Sequence, residues 1–392
     1  MGDGDATPDG GAKNPGGTTP GSGPLIARDA FVGLDRLTHL AAGGETPMLK
    51  SHMAAIERFM ADKSDGMAGR GRLLDTATRV REKAARLTAM EPGDVSFLIN
   101  ASDGMILAAS AFNANPGDNV VVAPADFPSV VLAAAGPRSR GIDIRWAGSG
   151  VAATSGDYAA VVDSRTRAIF VSHVSHLTGA RQDLEALRAI ADSVGARLIV
   201  DVSHALGPVP VDGSLCDILV CCCYKWLLAV HGCGLFCVNQ RRWPELSPPG
   251  LGWHSVEEPD ARLPLDGHRV KSGPDRFETG NPPLLAIHVL ENGLDHMLAI
   301  PPETRFAHCA ALGHRLRDGM IDLGLDVTTP AEAEFRAANI CFAVDDAEGV
   351  EARLRERDIV VWGSEGRVRI SPYLYNDAGD VDRCLAVLPE AL

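Results

Sequence analysis

The sequence predicts an α/β protein: a mostly parallel seven-stranded sheet between helices, followed by a smaller C-terminal α+β domain. Two observations predict it. Short apolar runs alternate with helical patterns from about residue 45 to residue 298, as in chained βαβ units. The segment 300–392 then changes rhythm, reading helix, strand, strand, helix, strand, strand, helix.

In chain order, residues 1–24 are rich in Gly, Pro, Asp and Thr and nearly free of large apolar side chains, so the expectation is a disordered tail. Helices are expected over 48–60 and 76–90. A strand is expected over 95–99, then a polar turn and a helix from Gly104. Further strands are expected over 120–123, 142–146 and 168–172, then an amphipathic helix over 183–194 and strands over 197–201, 218–222 and 234–238. The run at 168–172 is continuously apolar, the pattern of a strand covered on both faces. A long helix follows Pro282. The pair Pro301 and Pro302 marks a linker, which divides the chain into a large domain, 25–299, and a small one, 300–392.

Bulk properties exclude several partners. A formal charge of −14 repels nucleic acid and anionic membranes, and no basic patch offsets it. No apolar run reaches the roughly 18 residues of a membrane helix, and no charged segment followed by an apolar core opens the chain. A cytoplasmic protein is expected. Nine cysteines, an odd number, suit free thiols better than a disulfide framework. Cys221, Cys222 and Cys223 are consecutive; strand neighbours face opposite ways, so no metal site is expected there.

Ligands of open parallel sheets gather at the carboxyl ends of strands. Asp201 ends one strand and is followed by Ser203 and His204. An acid here either caps the next turn or faces a ring nitrogen that must stay protonated. Tyr224 and Lys225 follow another apolar strand. Burying an ammonium is costly, so a lysine there either reaches out to solvent or serves as an amine for Schiff-base chemistry. Small residues at 100–104 open a helix whose N-terminus can hold phosphate. Phe127 ends a strand, where it is either core or a face for a flat ring.

Taken together, DVSHALG (201–207), YKWL (224–227) and GCG (232–234) resemble fold type I pyridoxal-phosphate (PLP) enzymes of the class V aminotransferase superfamily. That group includes kynureninase, cysteine desulfurases and isopenicillin-N-epimerase-like enzymes. NASD (100–103), FPS (127–129), SHVSHLTG (172–179), RFETGNPP (276–283) and VRISPYLYN (368–376) support the resemblance, in the family's order. It implies PLP as cofactor, with Lys225 as its Schiff base and proton shuttle and Asp201 paired with the pyridine nitrogen. It places His204 by the ring oxygen or phosphate and Phe127 on the ring face. Ala101, Ser102, Ser203 and Tyr224 join the cofactor site. Trp253 and Asn281 would reach the phosphate of a neighbouring subunit, so a homodimer is implied. Arg369 would hold the substrate carboxylate with its guanidinium fork, and His173 and His176 would lie on the substrate side.

The reaction is less determined. A desulfurase needs a mobile cysteine shortly before the substrate arginine, and none lies between Asp345 and Arg369. The segment 40–47 departs from the kynureninase pattern. The reading is an amino-acid enzyme, with C–S β-elimination of a cysteine conjugate in bacterial secondary metabolism preferred. Transamination, epimerisation, decarboxylating deamination and kynureninase-like hydrolysis are the alternatives. A non-catalytic binding protein on the same scaffold is the alternative of another class. A nucleotide enzyme is disfavoured, since neither a Gly-x-Gly-x-x-Gly turn nor a Walker loop is present.

Overall fold

The computed structural model describes residues 20–260, 262 and 267–392. A two-residue strand, β1 (Thr38–His39), precedes two helices, α1 (His52–Ser64) and α2 (Gly66–Thr88). The alternating section runs β2 (Val95–Leu98), α3 (Ala101–Ala111), β3 (Asn119–Val122), α4 (Pro128–Ala135), β4 (Asp143–Trp146) and α5 (Ser155–Ala159). It continues with β5 (Thr166–Ser172), α6 (Leu184–Val194), β6 (Arg197–Asp201), β7 (Ile218–Cys222) and β8 (Gly234–Val238). Helix α7 (Leu284–Leu298) leads to α8 (Pro302–Asp322), β9 (Asp326–Val327), β10 (Ile340–Ala343) and α9 (Ala347–Arg355). The chain ends with β11 (Ile359–Val360), β12 (Trp362–Ser364), β13 (Arg367–Ile370) and α10 (Ala378–Ala391).

The large sheet has seven strands in the order β2-β8-β7-β6-β5-β3-β4. All pairings are parallel except those of β8, which is antiparallel to both β2 and β7. Strands β7 and β8 are buried at every position, and β5 and β6 at all but one each. That matches the continuous apolar runs in the sequence. Local signals set the helix ends. Asp183 caps α6 by accepting from Ala186 N–H at 2.9 Å, and Gly195 closes it at φ 72°. Helix α3 starts at Ala101, three residues before the expected Gly104, because the Asn100 side chain accepts from Asp103 N–H at 2.8 Å and caps it there. Helix α2 packs on α7, with Arg79 bonded to Glu291 at 2.7 Å.

A second sheet, β12-β13-β10-β9, is antiparallel and carries its own apolar core, including Leu316, Phe342, Val368 and Ile370. The N-terminal arm, expected with the large domain, buries Ile26, Phe31, Leu34 and Leu49 in that domain's core and also reaches the second sheet's core residues. Strand β1 pairs in parallel with β11, and Leu40 is fully buried among these residues. Of the expected disordered tail, residues 1–19 lie outside the described residues. Residues 20–24 are described, and the Gly21 carbonyl accepts from Ala378 N–H at 2.9 Å. No helix among the described residues is long and apolar enough to cross a membrane.

Candidate active site

The carboxyl ends of β3, β5, β6 and β7 converge, and each contributes side chains. At the end of β6, Asp201 is buried, with Ser203 N–H donating to its Oδ1 at 2.8 Å. The Ser203 hydroxyl accepts from Cys222 N–H at 2.9 Å, which ties this turn to the end of β7. Burial raises the Asp201 carboxyl above its usual range, with Ser203 and Lys225 opposing the rise.

Lys225 follows β7 and is buried, its Nζ 3.1 Å from His204 Nε2. The opposite ring nitrogen, Nδ1, accepts from the Asn339 side-chain amide at 2.9 Å. Asn339 Oδ1 in turn accepts from the Ser371 hydroxyl at 2.8 Å. With Nδ1 accepting, a neutral ring carries its proton on Nε2, which can donate to Lys225 Nζ only when that amine is unprotonated. Burial, then the charges of Lys225 and Arg369, holds His204 well below its ordinary value, so the ring is neutral. Thr46 of the N-terminal arm fixes the lysine turn from outside, donating to the carbonyls of Tyr224 and Lys225 at 3.1 and 2.8 Å. Leu228, three residues after Lys225, adopts φ 55°, a conformation that costs a bulky side chain free energy.

Phe127 is the N-cap of α4, and Lys225 Nζ lies 5.5 Å from its ring centroid. His176 meets the same ring edge-on at 5.0 Å. Asp126 positions Phe127 by accepting its N–H at 2.6 Å, and also accepts Ser172 N–H at 2.8 Å. Burial raises Asp126 to about 6. Ser102 in the first turn of α3 shares a 2.6 Å hydrogen bond with Ser129 in the first turn of α4, so these two helix N-termini adjoin. Gly234, paired with Cys222 across the ladder, lets the start of α3 lie directly on the sheet: a Cβ there would sit 3.1 Å from Ala101 N. The first N–H groups of α3, at Ala101 and Ser102, belong to the turn that has no helical acceptors.

Arg369 on β13 donates to the His176 carbonyl at 3.1 Å, and burial lowers its guanidinium to about 10. Burial and the neighbouring Arg367, Arg369 and Lys225 lower His176 to about 3.

Asp201, Ser203, His204, Lys225, Phe127, His176 and Arg369 are thus linked by these contacts, with Ala101 and Ser102 joined to them through Ser129. The Tyr224 ring stacks on His231 at 4.0 Å, and His231 pairs with Glu45 at 2.9 Å. His173, expected on the substrate side, meets Arg181 instead, at 3.4 Å, and lines a cavity of about 440 Å³ with Arg181, Asp212 and Phe335. Trp253 and Asn281 form another cluster. Arg70 donates to Asn281 Oδ1 at 2.6 Å and lies 5.8 Å from the Trp253 ring centroid. Both Trp253 and Asn281 are exposed. Asn339, Ser371, Thr46 and Asp126 were not singled out from sequence. Asp126 and Thr46 lie in turns that drew attention for their neighbours; Asn339 had no local signal beyond a polar residue at the mouth of an apolar run.

The residues present fit PLP. A buried carboxylate disfavoured as an anion accommodates a protonated ring nitrogen. An aromatic face lies beside an amine, and adjoining helix N-termini suit a phosphate. Comparison with known proteins agrees. YcbU, an uncharacterized aminotransferase of Bacillus subtilis, is 22% identical over 355 residues, covering 89% of this chain and 93% of that protein. A probable cysteine desulfurase of Methanothermobacter thermautotrophicus is 28% identical over 268 residues, 66% of each chain. The cystine C–S lyase C-DES, solved with its product cysteine persulfide, superposes with a TM-score of 0.83 over 91% of this chain and 98% of that one, at 20% identity. Another structure of C-DES holds glycine covalently linked to its PLP cofactor. These likenesses show the fold type I architecture. The class-V aminotransferase model matches residues 64–384, and the chain therefore belongs to that family of PLP-dependent enzymes.

Proposed function

We propose that the enzyme cleaves the C–S bond of a cysteine conjugate by β-elimination, releasing a thiol, pyruvate and ammonium with the uptake of one water. The observation that carries it is Lys225 Nζ held 3.1 Å from a neutral His204, beside the buried Asp201 and with no exposed thiol nearby. All nine cysteines are buried. Cys341, two residues from Asn339, is pushed up to about 11 by burial. A thiol so protonated and enclosed is a poor acceptor of sulfur from substrate, which favours release of a free thiol. The cystine C–S lyase among the structural neighbours supports the same choice.

When bound, the cofactor withdraws electrons from the bonds at the substrate α-carbon. Asp201 holds the proton on the ring nitrogen. Phe127 covers one ring face. Arg369 grips the α-carboxylate. The Lys225 amine takes the α-proton and returns one to the departing sulfur, and the His204–Asn339–Ser371 chain orients that amine. Trp253 and Asn281, exposed on each chain and held by Arg70, reach the phosphate of a second copy, which makes the working unit a homodimer. A cytoplasmic enzyme of bacterial secondary metabolism is the setting that the composition suggests.

The test is to incubate the PLP-loaded enzyme with cysteine S-conjugates and with ordinary amino acids. Thiol, pyruvate and ammonium in equal amounts support elimination. A 2-oxo acid without thiol release, or racemised substrate, overturns it.

A further inference from the structure

Two arginines, not one, face the substrate side. Arg367 and Arg369 are two residues apart on β13, so their side chains leave the same face with Cα atoms about 6.6 Å apart. Both guanidinium carbons lie close to the Trp362 ring centroid, at 4.8 Å for Arg367 and 4.7 Å for Arg369. Trp362 pairs with Arg369 in the ladder, on the neighbouring strand β12.

Arg369 has work to do in the proposed reaction; Arg367 does not. Arg367 is only 7% exposed, and its Nε and Nη2 are buried without a hydrogen-bond acceptor. Glu365 Oε2 lies 2.9 Å from Nη2, but without hydrogen-bond alignment, and the Glu365 side chain is 61% exposed. An exposed, misaligned carboxylate compensates a buried guanidinium poorly. The charges around the site are unbalanced in the same sense. Lys225, Arg367 and Arg369 surround His176, and Asp201 is committed to the lysine end. This occurs in a chain whose overall charge is −14. One α-carboxylate leaves a guanidinium over.

We propose that Arg367, with Trp362, forms a second anion subsite, so that the preferred substrate is an amino acid whose side chain ends in a carboxylate. A pair of guanidiniums stepped along one strand beside one indole can take one carboxylate each. It suits two carboxylates separated by the backbone of an S-carboxyalkyl cysteine. Trp362 supplies an apolar wall for the thioether between them. This inference names the substrate class for the elimination proposed above and rests on that reading for its chemistry, though not for its binding.

The probes are S-(2-carboxyethyl)-L-cysteine and its neutral isostere S-(2-carbamoylethyl)-L-cysteine, titrated against PLP-loaded enzyme by the change in cofactor absorbance. Thiol release is recorded separately. Wild-type enzyme should bind the acid tighter than the amide by about tenfold or more, the worth of one charge-assisted hydrogen bond. Arg367→Met, which keeps an apolar stem against Trp362, should bring the ratio close to one, and Arg367→Lys should keep part of it. A ratio near one in the wild type, or a wild-type ratio in Arg367→Met, overturns the proposal. The wild-type comparison decides even if Arg367→Met does not fold. Acid preference without thiol release would leave the subsite standing and overturn the elimination reading alone.

Discussion

At the scale of single residues, the site depends on a few buried polar groups whose partners are specific. Lys225→Ala should remove the covalent, borohydride-reducible attachment of PLP and abolish turnover. The measurement is the protein mass after reduction, and a cofactor-sized mass increase in the variant would contradict the assignment. Arg369→Met should weaken binding of every α-carboxylate ligand by about 2–5 kcal/mol, seen as a raised KM for acid and amide probes alike. Asp126 offers a test with a defined sign. Burial raises its folded value to about 6 from 3.8. A raised acid favours the fold while protonated, and that contribution is complete below pH ~4 and lost as pH rises through ~6. Asp126→Asn cannot titrate, so between pH 4 and 7 it should gain about 3 kcal/mol on the wild type. Urea unfolding of the cofactor-free proteins across that range reads the difference; a constant gap would sink the argument.

At the scale of elements, the N-terminal arm is what brings the two sheets' side chains to one place. Thr46 holds the carbonyls of the lysine turn, while Gly43 lies against Arg369 and Asn339. A Cβ at Gly43 would come within 2.6 Å of Asn339 Oδ1 and 3.3 Å of Arg369 Nε. Gly43→Val should therefore displace both groups, raising KM through Arg369 and lowering kcat through the Asn339–His204 contact, while cofactor loading persists. Steady-state kinetics on the loaded variant checks this, and unchanged constants would show that the arm is passive. Many helices and strands were legible in advance to within a few residues where they carry their own signal, as Asp183 and Gly195 do around α6; α2, expected over 76–90, instead begins ten residues earlier at Gly66. The arm's partner was not legible. Strand β1 is two residues long, and nothing local distinguishes pairing with β11 from docking on the larger sheet.

At the scale of the whole molecule, Trp253 and Asn281 are exposed and contact Arg70, and the proposed homodimer gives them a role at a neighbouring subunit's site. Sedimentation should give twice the 41.4 kDa chain mass. Mixing two inactive variants, Lys225→Ala and Asn281→Ala, and letting subunits exchange should restore part of the activity, since one site of each mixed dimer is then intact. No recovery, with exchange confirmed by mass, would place Asn281 outside the partner's site.

The sequence by itself determined the alternating architecture and the ends of many elements, and it singled out Asp201 and Lys225 as candidates. Apolar runs, caps and a polar residue closing a buried strand are local features that survive in one dimension. Only the tertiary structure decided that Asn339 and Ser371 steer His204, that His173 meets Arg181, and that Arg367 joins Arg369 beneath Trp362. The His204–Asn339 contact joins residues 135 positions apart, and the others depend on strand register and facing. Which face a side chain takes, and what lies opposite it, is set by packing between elements rather than by the string of residues within one.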